Sequence, residues 1–342
     1  MRRYKKHKKH RFIILISLAL ISAISGCLKP ELPLNPHQRG SVTEAEVTME
    51  SNYKYQVYFD FSTGAVAGQN LKMDWDLGFE TGDKGHHIIV NSSKAMFAAD
   101  AGAIDFYTLI DTTGMRFNWD AQNGDLDSTA LSGWADLSGT QPVPSKHVFV
   151  LNLGLKTTGL PVGLKKISIE NYANGAYTLH WAELDNSNED SLLIPASDTS
   201  FNFSFFSFKN GGDIVSIEPP KTSWDIVFTQ YLRIFNVSGD TIPYLVTGVL
   251  LNPWKVEATA DSSIAFDALD FSRISQFEFS NDRNLIGYDW KKYSFDLGQY
   301  AVNPDKIYVV RDPEGIYYKL HFIDFYDPNG NKGNPQFEFQ KL

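Results

Sequence analysis

The segment TSWDIVF, residues 222–228, is the strongest indication of the fold, because a closely similar segment, MDWDLGF, stands at residues 73–79. In both segments every second residue is large and apolar, which is the period of a β-strand with one buried face. Trp224 lies on that face and Asp225 points away from it. The pattern predicts a buried tryptophan followed by an aspartate that stabilises a turn or lies at a sheet edge. Its second occurrence indicates two copies of one unit.

Other blocks of sequence repeat in the same order around this segment. NYKYQVYFDFSTG (52–64) corresponds to TSFNFSFFSFKNGG (199–212). We align VFVLNLGL (148–155) with YSFDLGQY (293–300), and KKISIENYANGAYTLHWAEL (165–184) with DKIYVVRDPEGIYYKLHFIDF (305–325). Short alternating runs between turn residues predict an all-β protein. We therefore predict two tandem, duplicated antiparallel β domains, at residues 45–190 and 195–342, with helix limited to a turn or two near SSIAFDALDFSRIS (262–275).

The N-terminus is predicted to carry an export signal. Residues 1–26 have a strongly basic front and an apolar run that is too short for a typical membrane-spanning helix, so they are predicted to be a signal peptide. The sequence ISGC resembles a bacterial lipobox, which predicts that Cys27, the one cysteine of the chain, becomes a diacylated N-terminus. Two acyl chains anchor a protein firmly to a membrane. Residues 27–44, rich in proline and polar side chains, are predicted to be a flexible tether.

Charge and motifs exclude several functions. Removal of residues 1–26 takes away seven Lys/Arg and no acid, which leaves a formal charge of about −16. A nucleic-acid-binding protein needs a basic surface instead. The motifs G-x-S-x-G and H-E-x-x-H, the P-loop and the Gly-rich dinucleotide turn do not occur. The many carboxylates leave a glycosidase pair open, but nothing in the sequence singles one out, so we expect a protein that is not an enzyme.

The repeated blocks resemble the HmuY family of haem-binding outer-membrane lipoproteins. The match is carried by SWDIVFTQY (223–231), IPYLVTGVLLNP (242–253) and the terminal run from residue 305, and more weakly by MDWDLGF and GAYTLHW (175–181). The resemblance implies an all-β protein on the bacterial outer membrane, at its periplasmic or cell-surface face. It further implies iron acquisition, with haem held between two axial side chains and passed to a TonB-dependent transporter.

Haem iron takes His, Met or Tyr as axial ligands. Nearly all His and Met residues of the mature chain lie in the tether or the first repeat, so a site with two such ligands is expected there or at the interface. The segment GDKGHHIIVNSSKAMF (82–97) follows the first Trp-Asp strand and supplies the candidates. The predicted site residues are His86, His87, Met96, Met115 and Arg116, of which His87 and Met115 are the predicted iron ligands and Arg116 a propionate partner. The second repeat offers only tyrosine or His321.

Other interpretations remain open from the sequence. His86 and His87 are also typical of a surface hairpin, with Met96 as a core residue, and a divalent metal at the pair would lack a third ligand with convincing spacing. A surface lipoprotein that binds glycan or a partner protein would use exposed aromatic residues such as Trp119, Trp134 and Trp254. One repeat could also serve as a spacer. Strand parity predicts that His180 and His321 face solvent.

Overall fold

The structure, a computed structural model, describes residues 39–82 and 85–342. Within these residues the chain forms the strands β1 (Thr43–Glu46), β2 (Tyr55–Asp60), β3 (Ala65–Leu71), β4 (Leu77–Glu80), β5 (Ile88–Val90), β6 (Phe97–Asp100), β7 (Ala135–Asp136), β8 (Val143–Pro144), β9 (Val148–Asn152), β10 (Leu164–Ala173), β11 (Ala176–Ala182), β12 (Asp190–Pro195), β13 (Phe203–Ser207), β14 (Asp213–Val215), β15 (Ile226–Val237), β16 (Asp240–Leu251), β17 (Glu257–Asp261), β18 (Lys291–Ser294), β19 (Gln299–Val302), β20 (Ile307–Arg311), β21 (Tyr317–Tyr326) and β22 (Lys332–Lys341). Short 3-10 helices lie at Ser92–Lys94, Leu126–Ser128, Ser132–Trp134, Lys209–Gly211, Phe266–Ala268 and Phe271–Gln276.

The predicted all-β class is confirmed. The predicted signal peptide, Cys27 and residues 28–38 of the predicted tether lie outside the described residues. The tether prediction overlaps the fold at its end, because β1 begins at Thr43. No helix of the described part of the chain is long and apolar enough to cross a bilayer.

The strands build two β-sandwiches. The first sandwich packs the sheet β12-β11-β10-β9-β6 on the sheet β14-β13-β4-β5, and its core includes Phe79, Phe149 and Trp181. The second sandwich packs the sheet β1-β22-β21-β20-β17 on the sheet β16-β15-β2-β3, and its core includes Phe228 and Phe322. All ladders in these sheets are antiparallel, as the alternating sequence patterns require.

The two repeats exchange their N-terminal strands. Strands β1, β2 and β3 precede the first Trp-Asp segment but pair within the second sandwich, where β2 lies beside β15. Strands β13 and β14 precede the second Trp-Asp segment but pair within the first sandwich, where β13 lies beside β4. The predicted domains 45–190 and 195–342 each contain one copy of the sequence repeat, whereas each sandwich combines strands from both copies. The first sandwich is continuous in the chain, and the second combines residues 43–71 with residues from 226 onward.

The Trp-Asp segments fasten the exchanged strands. The backbone N–H of Asp76 donates to the Phe206 carbonyl at 2.8 Å, and its Oδ2 accepts from the Phe208 N–H at 2.7 Å. In the second copy the N–H of Asp225 donates to the Phe59 carbonyl at 2.9 Å, and its Oδ2 accepts from the Phe61 N–H at 2.8 Å. Each aspartate is buried and binds the backbone of the other repeat's hairpin.

A buried asparagine completes each of these junctions. Asn91 Nδ2 donates to the carbonyls of Lys72 and Trp75, both at 2.8 Å. Asn252 Nδ2 donates in the same way to the carbonyls of Lys221 and Trp224, at 2.8 and 2.7 Å. The amide satisfies two buried acceptors that no strand partner reaches. The duplication therefore extends to the hydrogen bonds that fix the turn before each Trp-Asp strand.

The structure corrects two of the block alignments. Lys166 on β10 donates to the Phe106 carbonyl at 2.6 Å, and Lys319 on β21 donates to the Phe266 carbonyl. Since each lysine lies on the middle strand of its five-stranded sheet, β10 corresponds to β21, and β9 to β20. Our alignment was wrong by one strand for 165–184, and 293–300 is not the counterpart of β9. Similar alternation in neighbouring strands allows such a slip.

The prediction that His180 and His321 face solvent was also wrong. Their side chains are only 15% and 19% exposed. His180 stacks on Phe106 with a centroid distance of 3.8 Å, and His321 stacks on Phe266 at 4.2 Å. Parity correctly placed both rings away from the sandwich core, but loops cover that face of each sheet.

Candidate ligand-binding cleft

The hairpins that follow the two Trp-Asp segments differ in length. From Asp76 to Asn91 the chain advances 15 positions, and from Asp225 to Asn252 it advances 27. In the first copy β4 and β5 have four and three residues, whereas β15 and β16 have twelve each and pair over their full length. The longer hairpin carries a two-stranded platform beyond the second sandwich, and the first sandwich has no equivalent strands in its described residues.

A cleft of about 520 Å³ lies along this platform. One wall is the outer part of β15 and β16, and the other is the hairpin β18–β19 with neighbouring residues. It is lined by Tyr53, Gln230, Phe235, Val237, Ile242, Tyr244, Leu245, Val246, Thr247, Tyr288, Lys291, Lys292, Tyr293, Tyr300 and Lys332. The volume is in the range of clefts that bind small molecules and cofactors, about 300–1,000 Å³.

Aromatic side chains dominate the walls of the cleft. Phe235 contacts Tyr244 and Tyr288, with ring centroids 6.4 and 6.2 Å apart, and Tyr293 contacts Tyr300 at 5.3 Å. Tyr244 is 59% exposed and Tyr293 is 40% exposed. Large apolar side chains that remain open to solvent on both sides of one cleft are typical of a binding site.

A buried lysine lies at the inner end of the cleft. Lys291 Nζ donates to the Thr247 carbonyl at 2.6 Å and is 4.0 Å from the centre of the Trp290 ring and 4.6 Å from that of Phe325. Burial lowers the pKa of Lys291 to about 7, although the nearby carboxylate of Asp289 acts in the opposite direction. The ammonium group is held by one carbonyl and two aromatic faces, so its charge is available to an anion that enters the cleft.

The charge of the cleft is opposite to that of the chain. Three lysines line it, Lys291, Lys292 and Lys332, and no acidic residue among those described does. Lys292 and Lys332 are exposed, and Lys332 Nζ lies 5.0 Å from the centre of the Tyr53 ring. The whole chain has a formal net charge of −9. A local cationic cleft on an acidic protein favours a ligand that carries negative charge.

Tyrosine hydroxyls supply the other polar groups of the cleft. Burial, followed by the neighbouring tyrosines, raises the pKa of Tyr53 and of Tyr300. The backbone N–H of Tyr300 donates to the hydroxyl of Tyr326 at 2.7 Å, which fixes β19 against β21. These phenols are therefore neutral donors and acceptors near pH 7, set in a rigid wall.

The two predicted histidines lie on the short hairpin of the first sandwich, away from this cleft. His86 is 6% exposed, has a positive φ of 59°, and packs edge-to-face on Tyr172 at 4.7 Å. His87 Nδ1 lies 2.6 Å from Glu80 Oε2, and its Nε2 lies 3.2 Å from Asp127 Oδ1. The bond to Glu80, ahead of the weaker one to Asp127, raises the pKa of His87. Both ring nitrogens of His87 thus face carboxylates.

The remaining predicted site residues are dispersed. Met96 is fully buried in the core of the first sandwich, while Met115 is half-buried and Arg116 exposed on the long connection between β6 and β7. None of the five predicted residues lines the cleft. The described residues also contain no group of three or more His, Cys, Asp or Glu arranged to hold a metal ion. The ligand roles of His87 and Met115 stay predictions.

The tryptophans considered for glycan binding do not form an exposed platform. Trp134 is 1% exposed, and its Nε1 donates to the His86 carbonyl at 3.0 Å. Trp119 and Trp254 are half-buried. The cleft instead exposes two tyrosines, Tyr244 and Tyr293, on its two walls.

The search for His and Met ligands missed the cleft because its residues are Tyr and Lys. Two signals in the sequence indicate it. The second Trp-Asp hairpin is twelve positions longer than the first, and the segment KKYSFDLGQY (291–300) places two lysines beside three aromatic residues. Neither signal shows which residues of β15 and β16 face β18, since that depends on packing of the two hairpins.

The sequence of the chain matches one known protein family. The family described as HmuY protein matches residues 52–190 and 199–339. None of the curated proteins matches. Apo PinO from Porphyromonas gingivitis is 12% identical, with 88% of this chain and 98% of that chain covered and a TM-score of 0.33.

Two further solved structures are similar over different lengths. The apo HmuY analog TFO of Tannerella forsythia is 9% identical, with 90% of this chain and 99% of that chain covered and a TM-score of 0.32. A protein from Bacteroides vulgatus, described as a HmuY_like heme binding protein, is 15% identical, with 37% and 78% covered and a TM-score of 0.18. The family match spans most of the chain in two successive copies, so this protein belongs to the HmuY family.

Proposed function

We propose that this protein binds haem in the cleft between the long β15–β16 hairpin and β18–β19, as a carrier in bacterial iron acquisition. Membership of the HmuY family, for which the sequence resemblance implies haem binding, supports haem as the ligand. The observation that carries the choice of site is the cleft itself, which combines aromatic walls, about 520 Å³ of space and three lysines without an acidic residue.

The residues of the cleft fit the ring and the propionates of haem. A porphyrin has two large apolar faces, which stack on aromatic rings, and two propionates, which lysine ammonium groups bind. Lys292 and Lys332 at the exposed part would bind the propionates, and Tyr244 and Tyr293 would cover the ring. In a carrier the iron is cargo, so the protein needs only to hold it, and we propose a binding role without catalysis.

The location proposed for this protein is the bacterial outer membrane. The support is the basic and apolar segment 1–26 followed by the sequence ISGC, together with the family. We propose lipidation at Cys27 and transfer of haem to a TonB-dependent transporter in the same membrane. A Cys27→Ser variant that still labels with a fatty-acid analogue in cells would overturn the anchor.

Haemin titration tests the site. We expect the mature protein to give a saturable Soret shift, and the double variant Tyr244→Ser/Tyr293→Ser to raise Kd at least tenfold, a loss of about 1.4 kcal/mol. The matched control is Leu193→Ser, which removes an exposed apolar side chain from β12 of the first sandwich.

The variant His87→Ala distinguishes the two candidate sites. A haemin affinity that falls in His87→Ala and is unchanged in the cleft double variant would place the ligand in the first repeat, as the sequence predicted. No Soret shift at micromolar haemin would remove haem binding altogether.

A further inference from the structure

The cleft contains no side chain that binds haem iron strongly in its neutral form. Its lining residues include no His, Met or Cys. The described histidines have other contacts, as with His147 on Asp100, His180 on Glu189 and His321 on Glu338. Axial coordination by imidazole or thioether is the usual source of iron specificity in non-covalent haem proteins. That source is missing at this site.

The tyrosine phenols of the cleft are poor substitutes for an imidazole or thioether ligand of the iron. Tyrosine binds ferric iron as the phenolate, and burial raises the pKa of Tyr53 and Tyr300, which favours the neutral phenol. A phenolate at the inner end would gain from the charge of Lys291, but burial lowers the pKa of that ammonium group to about 7, so it carries its charge only part of the time near pH 7. Iron coordination by Tyr53 or Tyr300 would therefore have to overcome the desolvation of a phenolate charge.

The remaining recognition elements do not involve the metal. Aromatic side chains line both walls, with Phe235 and Tyr244 on one side and Tyr288, Tyr293 and Tyr300 on the other. The lysines supply positive charge where no acidic residue of the described chain competes within the lining. These groups recognise a flat apolar ring and its carboxylates.

We propose that the cleft recognises a tetrapyrrole by its ring faces and its carboxylates, and that an iron-free porphyrin binds it as tightly as haem does. This rests on the proposed function and narrows it: the ligand class is a planar porphyrin dianion, with or without a metal. A protein with such a site would collect porphyrins that have lost their iron as well as haem.

The test compares haemin with protoporphyrin IX on the same protein. Binding of each is followed by quenching of tryptophan fluorescence, and of protoporphyrin IX also by its own emission. We expect dissociation constants within about threefold of each other. The charge-reversal variant Lys292→Glu/Lys332→Glu should weaken both ligands by at least tenfold and equally. Lys156→Glu, an exposed lysine after β9 of the first sandwich, is the matched control.

The outcomes separate the inference from the proposed function. If haemin binds in the cleft but protoporphyrin IX binds more than tenfold more weakly, iron is recognised and the inference is wrong while the function stands. A haemin affinity that falls with Tyr300→Phe while protoporphyrin binding is unchanged has the same meaning, and identifies a tyrosine ligand. If neither ligand binds, the proposed function fails.

Discussion

The two Trp-Asp aspartates occupy equivalent places but differ in their surroundings. Lys94 is 2% exposed and donates to Asp76 Oδ1. Lys94 stands three positions after Asn91, and the residue three positions after Asn252 is Lys255, which is exposed and lies over the Trp254 ring at 4.7 Å. Asp225 therefore has no buried lysine beside it, and burial raises its pKa to about 8.

This difference predicts unequal costs for the same substitution. We expect Asp76→Asn to lower the free energy of unfolding by about 3–5 kcal/mol, because it leaves the Lys94 ammonium group buried without its counter-charge. At about pH 6 we expect Asp225→Asn instead to raise the free energy of unfolding, by up to about 3 kcal/mol, because the wild-type carboxyl must take up a proton on folding at this pH. The amide needs no proton, and its oxygen still accepts the Phe61 N–H.

The effect of Asp225→Asn also depends on pH in a defined direction. Folding raises the pKa of Asp225 from 3.8 to about 8, so the folded state binds the proton more tightly between these values. The contribution of Asp225 to stability is fully present below the pKa that Asp225 has in the unfolded chain, and it is lost as the pH rises to about 8. The total loss in the free energy of unfolding is at most on the order of 5 kcal/mol. Lys319, whose pKa burial lowers to about 8, acts in the opposite sense. Comparing wild type with Asp225→Asn at each pH cancels the contribution of Lys319, because both proteins contain it.

Urea denaturation followed by tryptophan fluorescence, repeated between about pH 5 and about pH 9, measures these quantities. We expect Asp225→Asn to gain stability relative to wild type as the pH rises, and Asp76→Asn to stay the less stable variant at about pH 6. Equal costs for the two substitutions at about pH 6, or a difference between wild type and Asp225→Asn that does not vary with pH, would show that the two aspartates do not differ in this way.

Two other predictions concern the exchanged strands and the cleft. Residues 72–221 contain every strand of the first sandwich and should fold alone, whereas residues 45–190 lack β13 and β14 and should not fold. Circular dichroism and gel filtration of both fragments check this. A folded 45–190 fragment would contradict the exchange of strands between the repeats. Haemin affinity should fall about three- to tenfold between about pH 6 and about pH 8.5, because Lys291, with a pKa of about 7, loses its charge over this range. The variant Lys291→Met should abolish this pH dependence. An unchanged pH profile in Lys291→Met would show that another group is responsible.

The candidate site was only partly accessible from the sequence. The family resemblance and the uneven distribution of His and Met predicted a site at His86, His87 and Met115, because the residue types that can bind haem iron are visible in the sequence. A cleft formed by two hairpins cannot be read in that way. Tyr244 on β16 and Tyr300 on β19 are far apart in sequence, and their approach depends on how β15–β16 packs beside β18–β19.

The strands, their buried faces and the duplication could be predicted from the sequence, because side-chain alternation and repeated blocks are local properties. Which strands pair became visible only in the folded chain. Pairing of β2 with β4 would place β3 and β4 parallel on either side of β2, and parallel strands need a crossover of about a dozen residues or more, whereas only residues 72–76 separate β3 from β4. The first hairpin therefore pairs with the other repeat. Alternation shows which face of a strand is buried but carries no information about which edge accepts it.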